Sequence, residues 1–511
     1  MKSGFKKALC PVLAAIILLG CIVPAFASEG KTAFVVISGM NTFPLYDENE
    51  EKVYPFSTGD IIKLAGRLVS PVASFLVTKN YDRLAEKVIP VLYDAFKPIA
   101  CGSDGLSSLA VHTRIFKGSM AENKQWFEGK TKDEEGIVNA GIEKFGEENV
   151  YFFNYDWRLS PLTHADTLND FVREIKHNSG YDRVVLAAFS MGGTVLCSYL
   201  QKYGSADVDT VMLCSTAFQG TSVVTELFSG EVNLDARGLI NRLAQLTRNN
   251  FFEDLIKYVN ERLTLSGVNE NISDYVNDIV INCKDEIYSG LLIPVFGYMG
   301  GLWALTSSDG YENAKNFMLK NADESFIALT DEYIYDVQQK ATGILENAAA
   351  DSQVYIFAQY NMQGLPVSKE SNTGNNDYLI DCKYASGGAV CAPLGEILDV
   401  NPGQYISPDR QIDASTCMFP DKTWFIRDMG HVDYPLGGGS DFVLYFACAD
   451  EQLTVETSLY PQFSKYSYSD KTVTPVTAQE KKTFADKFFD FLIGIATRIH
   501  SFISRCIPVF S

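Results

Sequence analysis

Arg183-Val184-Val185-Leu186-Ala187-Ala188-Phe189-Ser190-Met191-Gly192-Gly193 is the stretch that decides the fold of this 511-residue chain. An apolar run, Val184 to Ala188, leads through Phe189 to Ser190, and a Gly pair follows Met191. Val195, Leu196, Tyr199 and Leu200 then recur at helical spacing. The pattern predicts a buried strand, a sharp turn, and a helix that begins at the turn. Such a turn lifts one hydroxyl above the edge of a sheet, at the positive end of a helix. Small residues at Ala188 and Gly192 let strand and helix pass closely. On these residues alone, an ordinary strand-to-helix Ser stays open.

Working outward, further strands frame the first. Thr32 to Ser38 is a continuous apolar run ending in Gly39-Met40-Asn41-Thr42. Asn149 to Tyr155 is another, and it runs into Asp156-Trp157-Arg158. Leu168, Phe171, Val172 and Ile175 then mark a helix before the elbow strand, a right-handed parallel unit. Val208 to Cys214, Val354 to Ala358 and Thr423 to Arg427 complete the strand signals. This order predicts the α/β-hydrolase fold: a mostly parallel central sheet flanked by helices, with Ser190 on the nucleophile elbow.

Two long interruptions, residues 45–148 and 223–350, read as helical cap or lid insertions in a hydrolase domain over 28–450. Within the second, Gly290 to Gly301 is strongly apolar. It fits either a lipid-facing lid or the buried core of a cap. Residues 451–477 are Ser-, Thr- and Tyr-rich and read as a linker. In residues 478–511, Phe484, Phe488, Phe491, Leu492, Ile495, Ile499, Phe502, Ile503 and Cys506 form one stripe, with Lys487, Asp490, Arg498 and Arg505 opposite. That amphipathic helix suits a membrane-surface contact or docking on the body, and sequence does not separate the two.

The net charge of −20 argues against a nucleic-acid partner. Lys2, Lys6 and Lys7, an apolar run over 8–24, and Ala25-Phe26-Ala27 read as a signal peptide over 1–27, implying an extracytoplasmic, secreted or cell-surface protein. Leu18-Leu19-Gly20-Cys21 offers lipidation at Cys21 as the alternative. The chain has no Cys-x-x-Cys pair and only five His, which argues against a metal site, and the chemistry requires no cofactor.

A Ser nucleophile needs a base, and the base needs an orienting carboxylate, in the chain order Ser, acid, His. Only His431 and His500 follow Ser190. His500 belongs to the amphipathic tail, so elimination gives His431, which follows the strand at 423–427. The acid should lie between the strand at 354–358 and His431. Asp377, Asp381, Asp399, Asp409, Asp413 and Asp421 qualify. Asp409, with Ile412 at +3 and small residues beyond, is the first choice, Asp413 the second and Asp399 the third. Backbone N–H groups of Met191 and Met40 are the expected oxyanion hole.

Tyr155-Asp156-Trp157-Arg158 after a strand, then Ser190-Met191-Gly192-Gly193, resembles the lecithin:cholesterol acyltransferase family and its lysosomal phospholipase relatives. Gly39-Met40-Asn41 and Ser215-Thr216-Ala217-Phe218-Gln219-Gly220 are similar too, so the likeness covers the hydrolase segments, about half the chain. The resemblance implies a Ser-Asp-His triad acting on lipid esters, carried by Ser190, His431 and Asp409. The Gly-Asp-Gly context usual around the family's acid is absent, and both insertions diverge. A non-lipid carboxylesterase and a catalytically inactive binding protein on the same scaffold are the competing expectations.

Overall fold

The computed structural model describes residues 33–127, 132–236, 238, 268–431, 433, 438–468 and 471–477. The predicted signal peptide, the Cys21 alternative and the amphipathic tail lie outside the described residues. The centre is an eight-stranded sheet: β1 (Ala33–Ile37), β2 (Val150–Phe153), β3 (Val184–Ser190), β4 (Val208–Thr216), β5 (Gln353–Tyr360), β6 (Thr423–Arg427), β7 (Phe463–Ser467) and β8 (Thr472–Pro475). Its spatial order is β8-β7-β6-β5-β4-β3-β1-β2, parallel throughout except the terminal β7–β8 pair. The elbow strand is therefore internal, between β1 and β4.

The continuous apolar runs follow from burial on both faces. Side chains alternate along a strand. Val35, Ile37, Leu186 and Ala188 enter one hydrophobic layer, and Phe34, Val36, Val185 and Ala187 enter the other. Each fully buried Val, Leu or Phe contributes about 1.5–3 kcal/mol, so sliding β3 by one residue would exchange the layers at large cost.

The first insertion is shorter than its sequence suggests. Residues 45–113 hold a small antiparallel sheet and two helices, α1 (Thr58–Thr78) and α2 (Tyr81–Phe96). Residues from Lys132 onward, expected as solvated loop and insertion, form α3 (Lys132–Phe145), a crossover helix between β1 and β2. Its Phe145 stacks on Phe34 at 5.2 Å. The charged start of this helix concealed its apolar second half. The parallel β2 is followed by α4 (Pro161–Ser179), and the elbow by α5 (Gly192–Tyr203).

The second insertion begins with α6 (Ser222–Phe228) and returns to the body as α7 (Ala341–Asp351), which packs on α5. Its apolar stretch is cap core and not a lipid-facing lid: Val295 and Met299 are fully buried, and nothing between Leu291 and Gly300 is exposed. The exposed apolar surface lies on α1 instead. Val69, Leu76 and Val77 are 65%, 55% and 86% exposed, and Phe75 is that helix's one buried residue. By length and composition alone α1 could cross a membrane.

Residues 451–477 are not a linker. Phe463 and Tyr466 are buried, and β7 and β8 extend the sheet beyond β6. An edge hairpin tolerates polar residues on its open side, and that composition disguised it. After β6, α8 (Gly438–Ala447) covers the same face as α3.

Candidate active site

Ser190 ends β3 with φ at +55°, a left-handed backbone that is costly for a residue with a side chain. The strain is held by close packing. A Cβ on Gly192 would lie 2.7 Å from the Ser38 carbonyl oxygen, and one on Gly193 would lie 2.4 Å from Thr216 Cβ. Gly at both positions is what allows α5 to start directly behind the hydroxyl. The first N–H groups of α5 have no acceptor within the helix.

His431 stands in the loop after β6. Its Nε2 is 2.8 Å from Ser190 Oγ, and its Nδ1 is 2.8 Å from Asp377 Oδ2. A carboxylate can only accept, so Nδ1 carries the proton and Nε2 is left to accept from the Ser190 hydroxyl. The His431 side chain is 7% exposed and that of Asp377 only 1%. The backbone ties the same loops together, since His431 N–H donates to the Asp377 carbonyl at 2.7 Å.

Asp377 is the carboxylate on His431, and Asp409, the first choice from sequence, is not. Asp409 accepts from Ser407 Oγ at 2.6 Å and Tyr360 Oη at 3.1 Å, and pairs with Arg427 at 3.4 Å. It fastens its loop to the ends of β5 and β6. Asp413 caps a short turn through Ser415, and Asp399 is exposed. Asp377 meets the same +3 criterion through Ile380, and the backbone shows what that spacing means. Leu379 and Ile380 N–H groups donate to Asp377 Oδ1 at 3.0 and 2.8 Å. The readable signal was an Asp that can bind its own following backbone, after the amide pair Asn375-Asn376.

Asp377 has a further partner that sequence reasoning missed. Ser215, at the end of β4, has φ at +49° and lies 2.9 Å from Asp377 Oδ2 and 2.8 Å from Gln359 Oε1. One hydroxyl has one proton, and the Gln359 side-chain nitrogen is buried without a partner. Ser215 therefore donates to one of the two at a time, and its donation to Asp377 adds to the support of that carboxylate.

The expected oxyanion loop lies beside the nucleophile. A Cβ on Gly39 would come within 2.9 Å of Ser190 Cβ. Met40, next in this loop, is exposed, and Met191 is buried at the start of α5. The buried Tyr155 donates to the Ser38 carbonyl at 3.0 Å, propping the strand end that leads into the loop. Burial pushes the Tyr155 phenol up, so it stays a donor.

Tyr155-Asp156-Trp157-Arg158 is thus a scaffold for the site. Arg158 is fully buried and forks onto Asp156 at 2.9 and 2.6 Å. Its remaining N–H groups reach the Ile99 and Val111 carbonyls and Ser107 Oγ. The cap sits on the same turn, where Gly301 N–H donates to the Arg158 carbonyl at 3.1 Å. A Cβ there would meet the Trp157 carbonyl oxygen at 2.0 Å.

Two sequence comparisons agree with this architecture. The sequence model of the family "Lecithin:cholesterol acyltransferase" matches residues 117–255, from before α3 through the elbow and into the cap. An 81-residue segment is 27% identical to the AB hydrolase superfamily protein YisY of Bacillus subtilis (strain 168), covering 16% of this chain and 27% of that relative. The match thus spans little more than a quarter of YisY. A chain of the Tle4-Tli4 complex is similar at 10% identity and a TM-score of 0.34, over 81% of this chain and 97% of its own length. By its sheet the chain has the α/β-hydrolase fold, and over residues 117–255 it is similar to the lecithin:cholesterol acyltransferase family.

Proposed function

We propose that this protein is an extracytoplasmic serine acyl hydrolase or acyltransferase acting on lipid esters. The observation that carries the reading is the continuous relay Ser190–His431–Asp377, with both links at 2.8 Å. Ser190 Oγ attacks the acyl carbonyl carbon while His431 Nε2 takes its proton. Asp377 holds the ring in the required tautomer and stabilises the imidazolium. The carbonyl electron pair moves onto oxygen, which binds the Met191 and Met40 N–H groups. When the pair returns, the C–O bond to the leaving alcohol breaks, and His431 protonates that alcohol. The Ser190 acyl ester is then attacked by water, giving hydrolysis, or by a second alcohol, giving transfer.

The family likeness and the exposed apolar face of α1 favour lipid esters over soluble ones. A soluble domain rarely exposes a contiguous apolar face without a partner. The turn that leads into α1 packs on the site's frame, through Phe56 against Tyr54 and Tyr54 against Trp157, at ring-centre distances of 5.6 and 6.0 Å. The basic, apolar leader with Ala25-Phe26-Ala27 supports action outside the cytoplasm.

Labelling with a serine-directed fluorophosphonate tests the chemistry. Wild type should label stoichiometrically and Ser190→Ala not at all. Folded wild type that fails to label would leave an inactive scaffold. A series from short soluble esters to diacyl phospholipids tests the substrate class, and turnover confined to short esters would replace the lipid reading with a carboxylesterase.

A further inference from the structure

On the sheet face that carries α3 and α8, away from the elbow helix, lies a groove of about 900 Å³. Leu444, Tyr445 and Cys448 form one wall, Leu459 and Tyr460 another, and Ala140 the floor towards α3. Leu459 is 71% exposed, an unusual position for a Leu beside two aromatic rings. The rim is acidic: Glu143, Asp441, Asp450 and Glu451 stand against the single Lys144.

We propose that this groove is the docking site of the chain's own segment 478–511, seated through its apolar stripe. The first support is where the described chain ends. β8 runs antiparallel to β7, so it returns the chain to the start of β7, where Val476 N–H donates to the Phe463 carbonyl at 3.0 Å. Phe463 is three residues from the groove wall at Tyr460. The polar lead Ala478 to Thr483 can span about 20 Å, ample to deliver Phe484 to the groove.

The second support is charge. Lys481, Lys482, Lys487, Arg498 and Arg505 outnumber Glu480, Asp486 and Asp490 in the segment, within a chain whose net charge is −20. A net-basic segment is attracted to an acidic rim, with Lys481 and Lys482 in the lead that reaches it first. The third is the stripe itself. Phe484, Phe488, Phe491, Leu492 and Ile495 share one face at i, i+4, i+7, i+8 and i+11. That face needs cover, and the groove offers apolar side chains three residues from the strand end where the segment departs.

The inference is independent of the catalytic reading and can be tested without activity. Hydrogen exchange would be followed on full-length wild type, on full-length Phe488→Glu/Phe491→Glu, and on full-length Leu459→Glu, which alters an exposed position and so spares the fold. Docking predicts that peptides covering 444–460 exchange about tenfold faster in both variants, while peptides covering 184–200 stay unchanged. It also predicts that wild type does not float with phosphatidylcholine–phosphatidylglycerol vesicles by way of this segment. Unchanged exchange at 444–460 in the tail variant overturns the proposal. Vesicle flotation that Phe488→Glu/Phe491→Glu abolishes overturns it too, and gives the segment to a membrane surface instead.

Discussion

Replacing Asp377 by Asn separates the carboxylate found on His431 from the one that sequence favoured. The substitution keeps the size of the side chain but presents an amide where Nδ1–H now finds an acceptor. The Asp377 carboxylate gathers four donors: His431 Nδ1, Ser215 Oγ, and the Leu379 and Ile380 N–H groups. With two of them on Oδ1 and two on Oδ2, either placement of the amide sets an NH₂ against donors. His431 can relieve that clash only by moving its proton to Nε2, where it no longer accepts from Ser190. Loss of the correct tautomer in a Ser-His-Asp relay costs about 10⁴ in turnover, or about 5 kcal/mol of transition-state stabilisation. Asp409→Asn touches none of these atoms. It weakens the contacts to Tyr360 and Arg427, for about 1–3 kcal/mol of folding stability, and leaves kcat/KM near wild type. The assay is release of p-nitrophenol from a medium-chain ester, with folding checked by circular dichroism. Asp377→Asn within tenfold of wild type, or Asp409→Asn falling as far as Asp377→Asn, would refute the reasoning.

Arg158→Met should destabilise the fold by about 3–5 kcal/mol, because Asp156 and two buried carbonyls lose their donors. A denaturant midpoint equal to wild type would show that the scaffold reading of this motif is wrong. His164 donates to the Asp156 carbonyl at 2.8 Å, and burial holds its pKa below the ordinary 6.5. The unfolded chain then binds this proton more readily, so stability is present above about pH 6.5 and is lost as the pH falls through it. The urea midpoint of wild type should drop more between pH 7.5 and 5.5 than that of His164→Asn, and parallel losses would rule the residue out. Val69→Asp/Leu76→Asp on α1 removes about 2 kcal/mol of apolar transfer, about thirtyfold in partitioning to phosphatidylcholine vesicles. Turnover of a soluble short ester should not change, and vesicle binding equal to wild type would remove α1 from the lipid reading.

Much of the fold was legible because its signals are local. β1, β3 and β6 are buried on both faces and therefore read as unbroken apolar runs, and the elbow glycines have no substitute at their packing distances. β7 and β8 were missed because an edge hairpin needs only Phe463 and Tyr466 inside, too few to stand out in a Ser/Tyr-rich segment. α3 was missed for the opposite reason, an apolar half behind a charged start. His431 could be found by elimination. Asp377 could not, because six candidate aspartates stood in the permitted interval, and what singles one out is a contact.

Sequence by itself determined six of the eight sheet strands, the sharp turn at Ser190 between small residues, and the His that follows the last of those six strands. These follow from periodicity and backbone sterics, which act over a few residues. Only the tertiary structure decided which acid faces that His, that Tyr155 and Arg158 build the site's frame, and that α1 exposes apolar side chains while the stretch 291–300 does not. The first of these depends on loops from β4, β5 and β6 converging at one sheet edge. His431 and Ser190 are 241 residues apart, and the chain has no local means of recording that they touch.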